Sequence, residues 1–290
     1  MNLPDIAHDP RLATAIKLAL DEDVGTGDVT TNALVDPNVQ ATGEILSREP
    51  CRVAGAPVAA AVMKAVCPDI VAEPVVPDGS DVEPGGTIVR FSGPACAILV
   101  AERTALNFMQ RMCGIATMTR RFTQVVSDLG TMILDTRKTT PGLRFLEKYS
   151  VRCGGGTNHR FGLFDRVLLK DNHRKLWAGN QPGRLDLAVI EARKKNPGIM
   201  VEIEVETLEE LRSALQAKPE WVMLDNMSCP LMREAVKIAK GISKTEASGG
   251  ITLRNVREVA ETGVDAISLG CLTHSAPSVD LSLEWTPDGI

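Results

Sequence analysis

Residues 199–226 read IMVEIEVETLEELRSALQAKPEWVMLDN, and this stretch decides the fold. A helix-length segment with leucines at helical spacing lies between two short apolar runs, which is the pattern of a strand, a helix and a second strand. Strands joined in this way lie parallel in one sheet. Similar runs elsewhere after Gly130 are TMILDT, RVLLK, TEASG and DAISLG. Together they predict an α/β barrel of the TIM type, and an open parallel sheet is the alternative.

Polar residues follow the predicted strands at the point where each strand ends. The carboxyl ends of parallel barrel strands meet on one face, where active sites of such barrels are built. We therefore expect one functional site to collect the strand ends, which are Asp135-Thr136-Arg137, Lys170-Asp171, Glu204, Asp225-Asn226, Ser248-Gly249-Gly250 and Gly270.

The run VEIEV carries two acids, Glu202 and Glu204. Side chains alternate across a strand, so both acids point away from the face that holds the three apolar residues. With helices outside the barrel, both carboxylates point inward, where ionised groups need cations or ligand hydroxyls. Asp225 ends the next strand and should lie close enough to share a ligand with Glu204. An edge strand with a solvated face is the alternative.

Residues 135–175 carry ten Lys and Arg against four Asp and Glu, in a chain of net charge -5. A charged solvated face is one interpretation, but these cations stand beside glycines, threonines and strand ends rather than in a mixed helical pattern. We expect them to bind a small ligand rich in carboxylate or phosphate. The planar guanidinium groups of Arg137 and Arg160 suit carboxylates. The other candidates are Lys138, His159 and Lys170.

Small residues predict a phosphate site near the end of the barrel. Ser248-Gly249-Gly250 precedes a helix predicted to begin near Thr252, and Gly270 with Cys271 closes the next strand. Backbone N–H groups can approach an anion at such positions. The run 154–156 is either a similar cradle or a flexible loop. The residues thus predict an anionic ligand and a phosphorylated sugar, and they do not name the reaction.

The first half of the chain has a different pattern. A helix is predicted over 10–20, followed by an acidic loop, and residues 41–100 read as short strands interrupted by a helix at 57–67. Residues 95–129 are helical, with a break predicted at Cys113-Gly114.

Composition excludes several classes of protein. Aromatic residues make up 3% of the chain and its pI is about 5.5, which argues against a nucleic-acid surface. No apolar run reaches the roughly 20 residues that span a bilayer, and the first residues lack a signal-peptide pattern. Seven scattered cysteines indicate reduced, mostly buried thiols in a cytoplasmic protein. Cys153 could be a nucleophile, although a packing role is favoured.

The motifs resemble the quinolinate phosphoribosyltransferase family over nearly the whole chain. The resemblance implies a type II phosphoribosyltransferase fold, with an N-terminal α/β sandwich domain at 1–115, a C-terminal incomplete TIM-like α/β barrel at 116–275, and the tail 276–290 packed on the first domain. The stretches that carry it are LALDEDVGTGDVTT, AERTALNFMQRMCGIAT, DTRKTTPGLRFLEKYSVRCGGGTNHRFGLFDRVLLKDNH, VEIEVETLEEL, VMLDN, EASGGITL and ISLGCLTHSAP.

The family reaction combines quinolinate with phosphoribosyl pyrophosphate and gives nicotinate mononucleotide, pyrophosphate and carbon dioxide. The resemblance also implies Mg²⁺, no organic cofactor and a homodimer with shared active sites, and it leaves a higher oligomer open. In the family pattern Arg137, His159 and Arg160 hold the quinolinate carboxylates, together with Arg103 from the partner subunit.

Other roles follow from the same resemblance. Thr136 belongs to the substrate site, and Lys138 and Lys170 face substrate carboxylate and phosphates, with catalytic roles. Glu204 and Asp225 are implied to contact the ribose hydroxyls and Mg²⁺ and to act in catalysis. The 5′-phosphate is implied to lie against Ser248, Gly249, Gly250, Leu269, Gly270 and Cys271.

Departures from the family pattern are small. Ser150 and Cys113 stand in otherwise familiar runs, and AGNQPGRLD at 178–186 is longer than the usual loop. One alternative is a diverged homologue, like the ModD-like proteins of molybdenum gene clusters, with another substrate. Another is a carrier protein, since PDGSDVEPGGTIV is similar to biotinyl-carrier hairpins. A carrier needs a lysine at the hairpin tip, and none occurs between Lys64 and Arg103.

Overall fold

The computed structural model of the chain describes residues 3–177, 181 and 183–286, in which helices and strands alternate. After a short 3₁₀ helix at Ile6–His8, the helices are α1 (Pro10–Val24), α2 (Val29–Leu34), α3 (Ala56–Val66), α4 (Ala95–Val125), α5 (Arg144–Cys153), α6 (Asp171–Leu176), α7 (Leu185–Lys195), α8 (Leu208–Leu215), α9 (Cys229–Ala239), α10 (Val256–Ala260) and α11 (Cys271–His274). The strands are β1 (Gln40–Ser47), β2 (Cys51–Arg52), β3 (Val71–Pro74), β4 (Asp81–Val82), β5 (Thr87–Pro94), β6 (Met132–Leu134), β7 (Val167–Leu169), β8 (Val201–Val205), β9 (Trp221–Asp225), β10 (Lys244–Ser248), β11 (Ala266–Ser268) and β12 (Leu281–Trp285). Among the described residues, no helix is both long and apolar enough to cross a membrane.

Two units make up the chain. Unit 1 comprises Met1–Arg120, Thr139–Gly155 and Cys271–Ile290, and unit 2 comprises Arg121–Lys138 and Gly156–Gly270.

An antiparallel sheet in the order β12-β1-β5-β3 organises unit 1. The last strand comes from the end of the chain, with Ser47 opposite Leu281 and Gly43 opposite Trp285. A side chain at Gly43 would lie 2.5 Å from both Glu284 O and the Phe91 ring, so only glycine fits between these strands. The described part of the predicted tail 276–290 thus includes a strand of the first sheet, and residues 287–290 lie outside the described residues.

The parallel sheet of unit 2 has the order β6-β11-β10-β9-β8-β7, and all six predicted strands are present. Leu134 also forms a parallel bridge with Thr157 beyond β6. Leu134, Trp221 and Ala266 form a buried apolar cluster. Val201, Ile203 and Val205 of β8 are fully buried, and helices α7 and α8 contact this strand. The incomplete α/β barrel that the sequence predicts is confirmed.

Residues 116–120, 139–155 and 271–275 belong to unit 1, whereas the resemblance implies a barrel domain at 116–275. Side-chain contacts of α5 account for the place of 139–155. The Tyr149 hydroxyl donates to Asp78 at 2.7 Å, and the Arg111 guanidinium donates to Glu147 at 3.0 Å. Glu147 is 2% exposed, and a buried carboxylate is costly unless it is paired and hydrogen-bonded.

The predicted end of the first helix is wrong. Helix α1 runs on to Val24, so the acids expected in a loop lie in its last turns. Helix α2 begins soon afterwards, at Val29. The Asp28 side chain caps it by accepting hydrogen bonds from Thr30 N and Thr31 N, both at 3.0 Å.

Helix α4 is continuous, so the break predicted at Cys113-Gly114 is wrong. Close packing requires glycine at position 114, because a Cβ there would lie 2.0 Å from the carbonyl oxygen of Pro277. This neighbour is distant in sequence, and nothing in the local pattern of the helix distinguishes such a glycine from a helix breaker.

We predict that Gly114→Ala destabilises the protein. Alanine in a helix interior is usually better than glycine by about 1 kcal/mol, but the clash with Pro277 should reverse the sign and cost roughly 1–3 kcal/mol. Urea denaturation measures the change, with Gln124→Ala at an exposed position of α4 as the control. A Gly114→Ala protein at least as stable as wild type would contradict this explanation of the glycine.

Candidate active site

The strand registers bring the predicted acids to one face of the barrel sheet. Glu204 is in register with Met223, two residues before Asp225, and Asp225 is in register with Ser248. Residues two apart on a strand share a face, so Glu204, Asp225 and Ser248 all point inward. The parity argument from the sequence is therefore confirmed for the direction of these side chains.

Glu204 and Lys170 form an ion pair at the mouth. Glu204 is 7% exposed, and its Oε2 lies 2.7 Å from Lys170 Nζ. Lys170 directly follows β7 and precedes α6, and its backbone N–H donates to His173 Nδ1 at 3.0 Å. The lysine offsets the charge of an otherwise costly inward carboxylate. Asp225 is half-buried and accepts a hydrogen bond from the Asn226 side chain at 2.8 Å.

Asp135 holds two of the cation-bearing segments together, and sequence reasoning missed this role. Its carboxylate is fully buried and accepts from the backbone N–H of His159 at 2.8 Å and from the Asn158 amide at 2.6 Å. Next to it, Lys138 N donates to Thr136 Oγ1 at 3.1 Å. The position of Asp135 between an apolar strand and Thr136-Arg137 was the available signal.

The predicted carboxylate-binding cations are close neighbours. Arg160 is 9% exposed, and burial together with the charge of Arg137 lowers the pKa of its guanidinium. An anion that contacts both guanidinium groups would offset the repulsion between them. Lys138 is exposed on the same segment as Arg137. The geometry therefore suits a ligand with closely spaced negative charges.

His159 lies deeper, against buried acids. Its Nε2 is 3.0 Å from Glu202 Oε2 and 3.4 Å from Glu246 Oε2, and its Nδ1 accepts the Arg160 N–H at 2.7 Å. Burial alone would lower the pKa of His159, but the two carboxylates outweigh burial and raise it to about 9. The two carboxylates favour a proton on Nε2, the ring nitrogen that faces them.

Glu246 and Arg166 are further inward charges that sequence reasoning did not select. Burial and the charge of Glu202 raise the pKa of Glu246. Burial alone would raise the pKa of Glu202 too, but His159 and Arg166 outweigh it and lower that pKa. The parity of TEAS, with Thr245 and Ala247 on the opposite face, was the signal that could have found Glu246.

The predicted phosphate loop has left-handed backbone at both glycines. Gly249 has φ +95° and Gly250 φ +64°, and a Cβ on Gly249 would lie 2.1 Å from the Asn226 side chain. The helix expected near Thr252 begins only at Val256, because Asn255 first closes a turn by accepting from Thr252 N at 2.7 Å. Backbone N–H groups, rather than a helix dipole, are thus what this loop can offer an anion.

The second part of the predicted phosphate site follows β11. Leu269 is buried and its N–H donates to the Leu134 carbonyl at 2.9 Å. Gly270 is half-buried, and Cys271 begins α11. Cys271 and Arg103 belong to unit 1, whereas the other predicted site residues belong to unit 2. Arg103 lies on α4 with its side chain 57% exposed.

Packing accounts for the first glycine of the run 154–156. Gly154 and Gly155 follow the end of α5, and a Cβ on Gly154 would lie 2.4 Å from the Ala116 carbonyl oxygen. Close packing therefore demands glycine here. Cys153 is fully buried and burial raises the pKa of its thiol, which favours its packing role over a nucleophilic one.

The chain has an α/β barrel, with acids and cations at the carboxyl ends of its strands. These features place it in the class of barrel enzymes that bind anionic substrates. Comparison with known proteins gives the family. Residues 28–113 match the N-terminal domain of quinolinate phosphoribosyl transferase, and residues 115–284 match its C-terminal domain. The chain belongs to the quinolinate phosphoribosyl transferase family.

Individual relatives agree with this assignment. A probable nicotinate-nucleotide pyrophosphorylase [carboxylating] of Bacillus subtilis is 40% identical over 270 residues, which cover 91% of this chain and 90% of the relative. The chloroplastic enzyme of that name from Arabidopsis thaliana is 41% identical, covering 94% and 82%. The solved nicotinate-nucleotide pyrophosphorylase of Francisella tularensis superposes with a TM-score of 0.90 at 38% identity, covering 98% of this chain and 100% of that one.

Proposed function

We propose that this chain transfers the phosphoribosyl group of phosphoribosyl pyrophosphate to the ring nitrogen of quinolinate and releases carbon dioxide. The products are nicotinate mononucleotide, pyrophosphate and CO₂, in the biosynthesis of NAD. Family membership supports the reaction. The main structural support for the reaction is that Arg137 and Arg160 are neighbours. They belong to the same unit as the inward Glu204.

The cation cluster is proposed to bind quinolinate. The two adjacent carboxylates of quinolinate match two guanidinium groups that are near enough for the charge of Arg137 to act on Arg160. Arg137 and Arg160 hold these carboxylates, while Thr136 orders the backbone of Lys138. The resemblance implies a carboxylate contact for His159 as well, but both of its ring nitrogens already contact protein groups, so its role is to support Arg160. Lys138 faces a carboxylate or a phosphate of the substrates as a point charge.

Glu204 is proposed to stabilise the reacting sugar. As the pyrophosphate bond breaks, positive charge grows on the ribose ring, and a preorganised inward carboxylate lowers the free energy of that state. Lys170 holds this carboxylate at 2.7 Å before the substrates bind, and it contacts phosphate afterwards. Asp225 binds ribose hydroxyls on the same face. The 5′-phosphate lies against Ser248, Gly249 and Gly250, and against Leu269, Gly270 and Cys271.

Mg²⁺ fits the donors at this mouth. Once Lys170 has moved from Glu204 to the substrate phosphates, Glu204 and Asp225 offer carboxylate oxygens on one face of neighbouring strands. Mg²⁺ is usually bound by one or two carboxylates plus substrate phosphates. These two residues would hold the ion, largely through substrate and water. When bound, it would neutralise charge on the departing pyrophosphate.

Decarboxylation follows from the product of the transfer. Once its nitrogen carries the ribose, the pyridine ring is cationic, so the electrons of the adjacent carbon–carboxylate bond can be drawn toward that nitrogen as CO₂ leaves. The ring carbon then takes up a proton. The substrate itself supplies the electron sink, and the proposal includes no organic cofactor.

The proposed enzyme is a homodimer with shared active sites. Arg103 supports this, because it is an exposed cation on a helix of unit 1, the unit that lacks the remaining carboxylate-binding residues. The partner subunit's Arg103 would complete the cluster around quinolinate. We place the reaction in the cytoplasm, and the free state of the chain's seven cysteines supports a reducing compartment.

Substrate choice tests the proposed reaction. With phosphoribosyl pyrophosphate and Mg²⁺, quinolinate should be consumed and nicotinate should react poorly, because a cation left without its carboxylate costs about 1.5–3 kcal/mol per hydrogen bond. Ultraviolet monitoring of the pyridine ring, with released CO₂ as a second readout, measures both reactions. Comparable turnover of nicotinate would contradict the assignment of two carboxylate contacts.

Hybrid dimers test the shared site. Arg103→Ala and Lys138→Ala should each be nearly inactive while still folded and dimeric. In a mixed dimer one site keeps its own Lys138 and receives an intact Arg103, so statistical exchange should restore about one quarter of wild-type activity. Native mass spectrometry verifies the exchange. Absence of recovery in verified hybrids would count against a contribution from the partner subunit.

A further inference from the structure

Four ionisable side chains meet inside the barrel, on β8, on β10 and before β7, and three of them are buried while Arg166 is half-buried. Glu202 and Glu246 are fully buried, and the acid oxygens and the His159 nitrogen lie within 4.8 Å of one another. Arg166 Nη1 lies 3.1 Å from Glu202 Oε2. The proposed mechanism uses only His159 of these four, so the other three need an explanation.

A metal ion is a poor explanation of the cluster. His159, Glu202 and Glu246 have the composition of a metal site, but Arg166 Nη1 lies 3.3 Å from His159 Nε2 as well as close to Glu202. A guanidinium beside the ligand atoms repels a second cation. Arg166 also faces the Trp221 ring at 5.7 Å, which fixes its place in the barrel interior.

The Glu246 carboxylate lies near His159 and Ser268. Neither of its carboxylate oxygens makes a hydrogen bond of good geometry, and Oε2 lies 3.4 Å from His159 Nε2. A buried polar group without partners is costly, so natural proteins keep one where it has a task. The contact with the histidine ring is the one that reaches the substrate site.

The histidine ring connects the buried acids to Arg160. Its Nε2 side contacts acids from two strands, and its Nδ1 accepts the Arg160 backbone N–H at 2.7 Å. The orientation of the ring therefore restrains the backbone from which the Arg160 guanidinium extends. Asp135 restrains the same segment from the other direction by accepting from His159 N.

We propose that Glu246 is a positioning residue for quinolinate, because with Glu202 it orients the His159 ring, which in turn fixes Arg160. This inference rests on the proposed function. It assigns Glu246 to the binding of the pyridine dicarboxylate, separate from the ribose chemistry at Glu204. The cluster thereby gives the carboxylate-binding segment a rigid support inside the barrel.

Glu246→Leu removes the contact and leaves an apolar side chain of similar size. We expect the KM for quinolinate to rise roughly tenfold, as for the loss of one charged contact, while the KM for phosphoribosyl pyrophosphate changes by less than about twofold. Glu246→Gln keeps a polar group beside Nε2 and should recover most of the quinolinate affinity. A role in packing alone would lower the melting temperature without this split or this recovery.

Glu220→Leu is the matched control. Glu220 precedes β9 at the opposite end of the barrel and accepts from Val201 N at 2.7 Å, so its loss should lower stability and leave both KM values unchanged. If Glu246→Leu does not fold, Glu246→Asp replaces it in the same test, because the shorter side chain withdraws the carboxyl group from the His159 ring. The KM for quinolinate should then rise relative to the KM for phosphoribosyl pyrophosphate, but by less than in Glu246→Leu.

The outcomes separate the two proposals. A wild-type protein that does not consume quinolinate refutes the proposed function itself. An active wild type whose Glu246→Leu variant keeps its quinolinate KM, or raises both KM values equally, overturns the positioning role. A Glu246→Gln variant as impaired as Glu246→Leu also overturns it, since the polar contact would then not be what matters.

Discussion

The site depends on the cost of placing carboxylates inside a parallel barrel. The alternation of VEIEV sends Glu202 and Glu204 inward, and an ionised group there is unfavourable unless a cation or a ligand compensates it. Lys170 compensates Glu204, and His159 with Arg166 compensates Glu202. The cations of the neighbouring strand ends are thus located by the acids they neutralise.

The two acids of β8 lie at different depths in the barrel and have different roles. Glu204 lies nearer the mouth, where a ribose with developing positive charge can replace the lysine as its partner. Glu202 lies two residues earlier, fully buried, and its cations remain within the protein. One strand can therefore supply both a reactive carboxylate and a fixed support, because its side chains repeat at every second residue.

Local pattern was sufficient for much of the architecture. Six strands, the direction of Glu202 and Glu204, and the convergence of strand ends all follow from periodicity within short segments. Contacts between segments that are distant in sequence could not be predicted from the local pattern. The local pattern predicts a break at Gly114 because Pro277 is remote in sequence, and it leaves the role of Gly154 open because its neighbour Ala116 lies on another helix.

The candidate site divides in the same way. Glu204 occupies a recognisable strand and Arg137 closely follows one, while Arg160 belongs to the local excess of cations at 135–175. The supporting roles of Asp135 and Arg166 are not predicted, since they come from partners that only the fold brings near, at His159 and at Glu202. Supporting residues are in general harder to predict than the charges they support, because a hydrogen bond to a distant segment leaves no periodic signal.

The most direct test of this account is the turnover of Glu204→Gln at saturating substrates, together with quinolinate affinity by calorimetry. Glutamine keeps the size of the side chain and removes its charge, so turnover should fall roughly a hundredfold, about 3 kcal/mol, with quinolinate binding nearly unchanged. Glu206→Gln, an exposed neighbour just beyond the strand, should retain wild-type turnover. Near-normal turnover of Glu204→Gln would contradict the central claim that an inward carboxylate stabilises the reacting sugar.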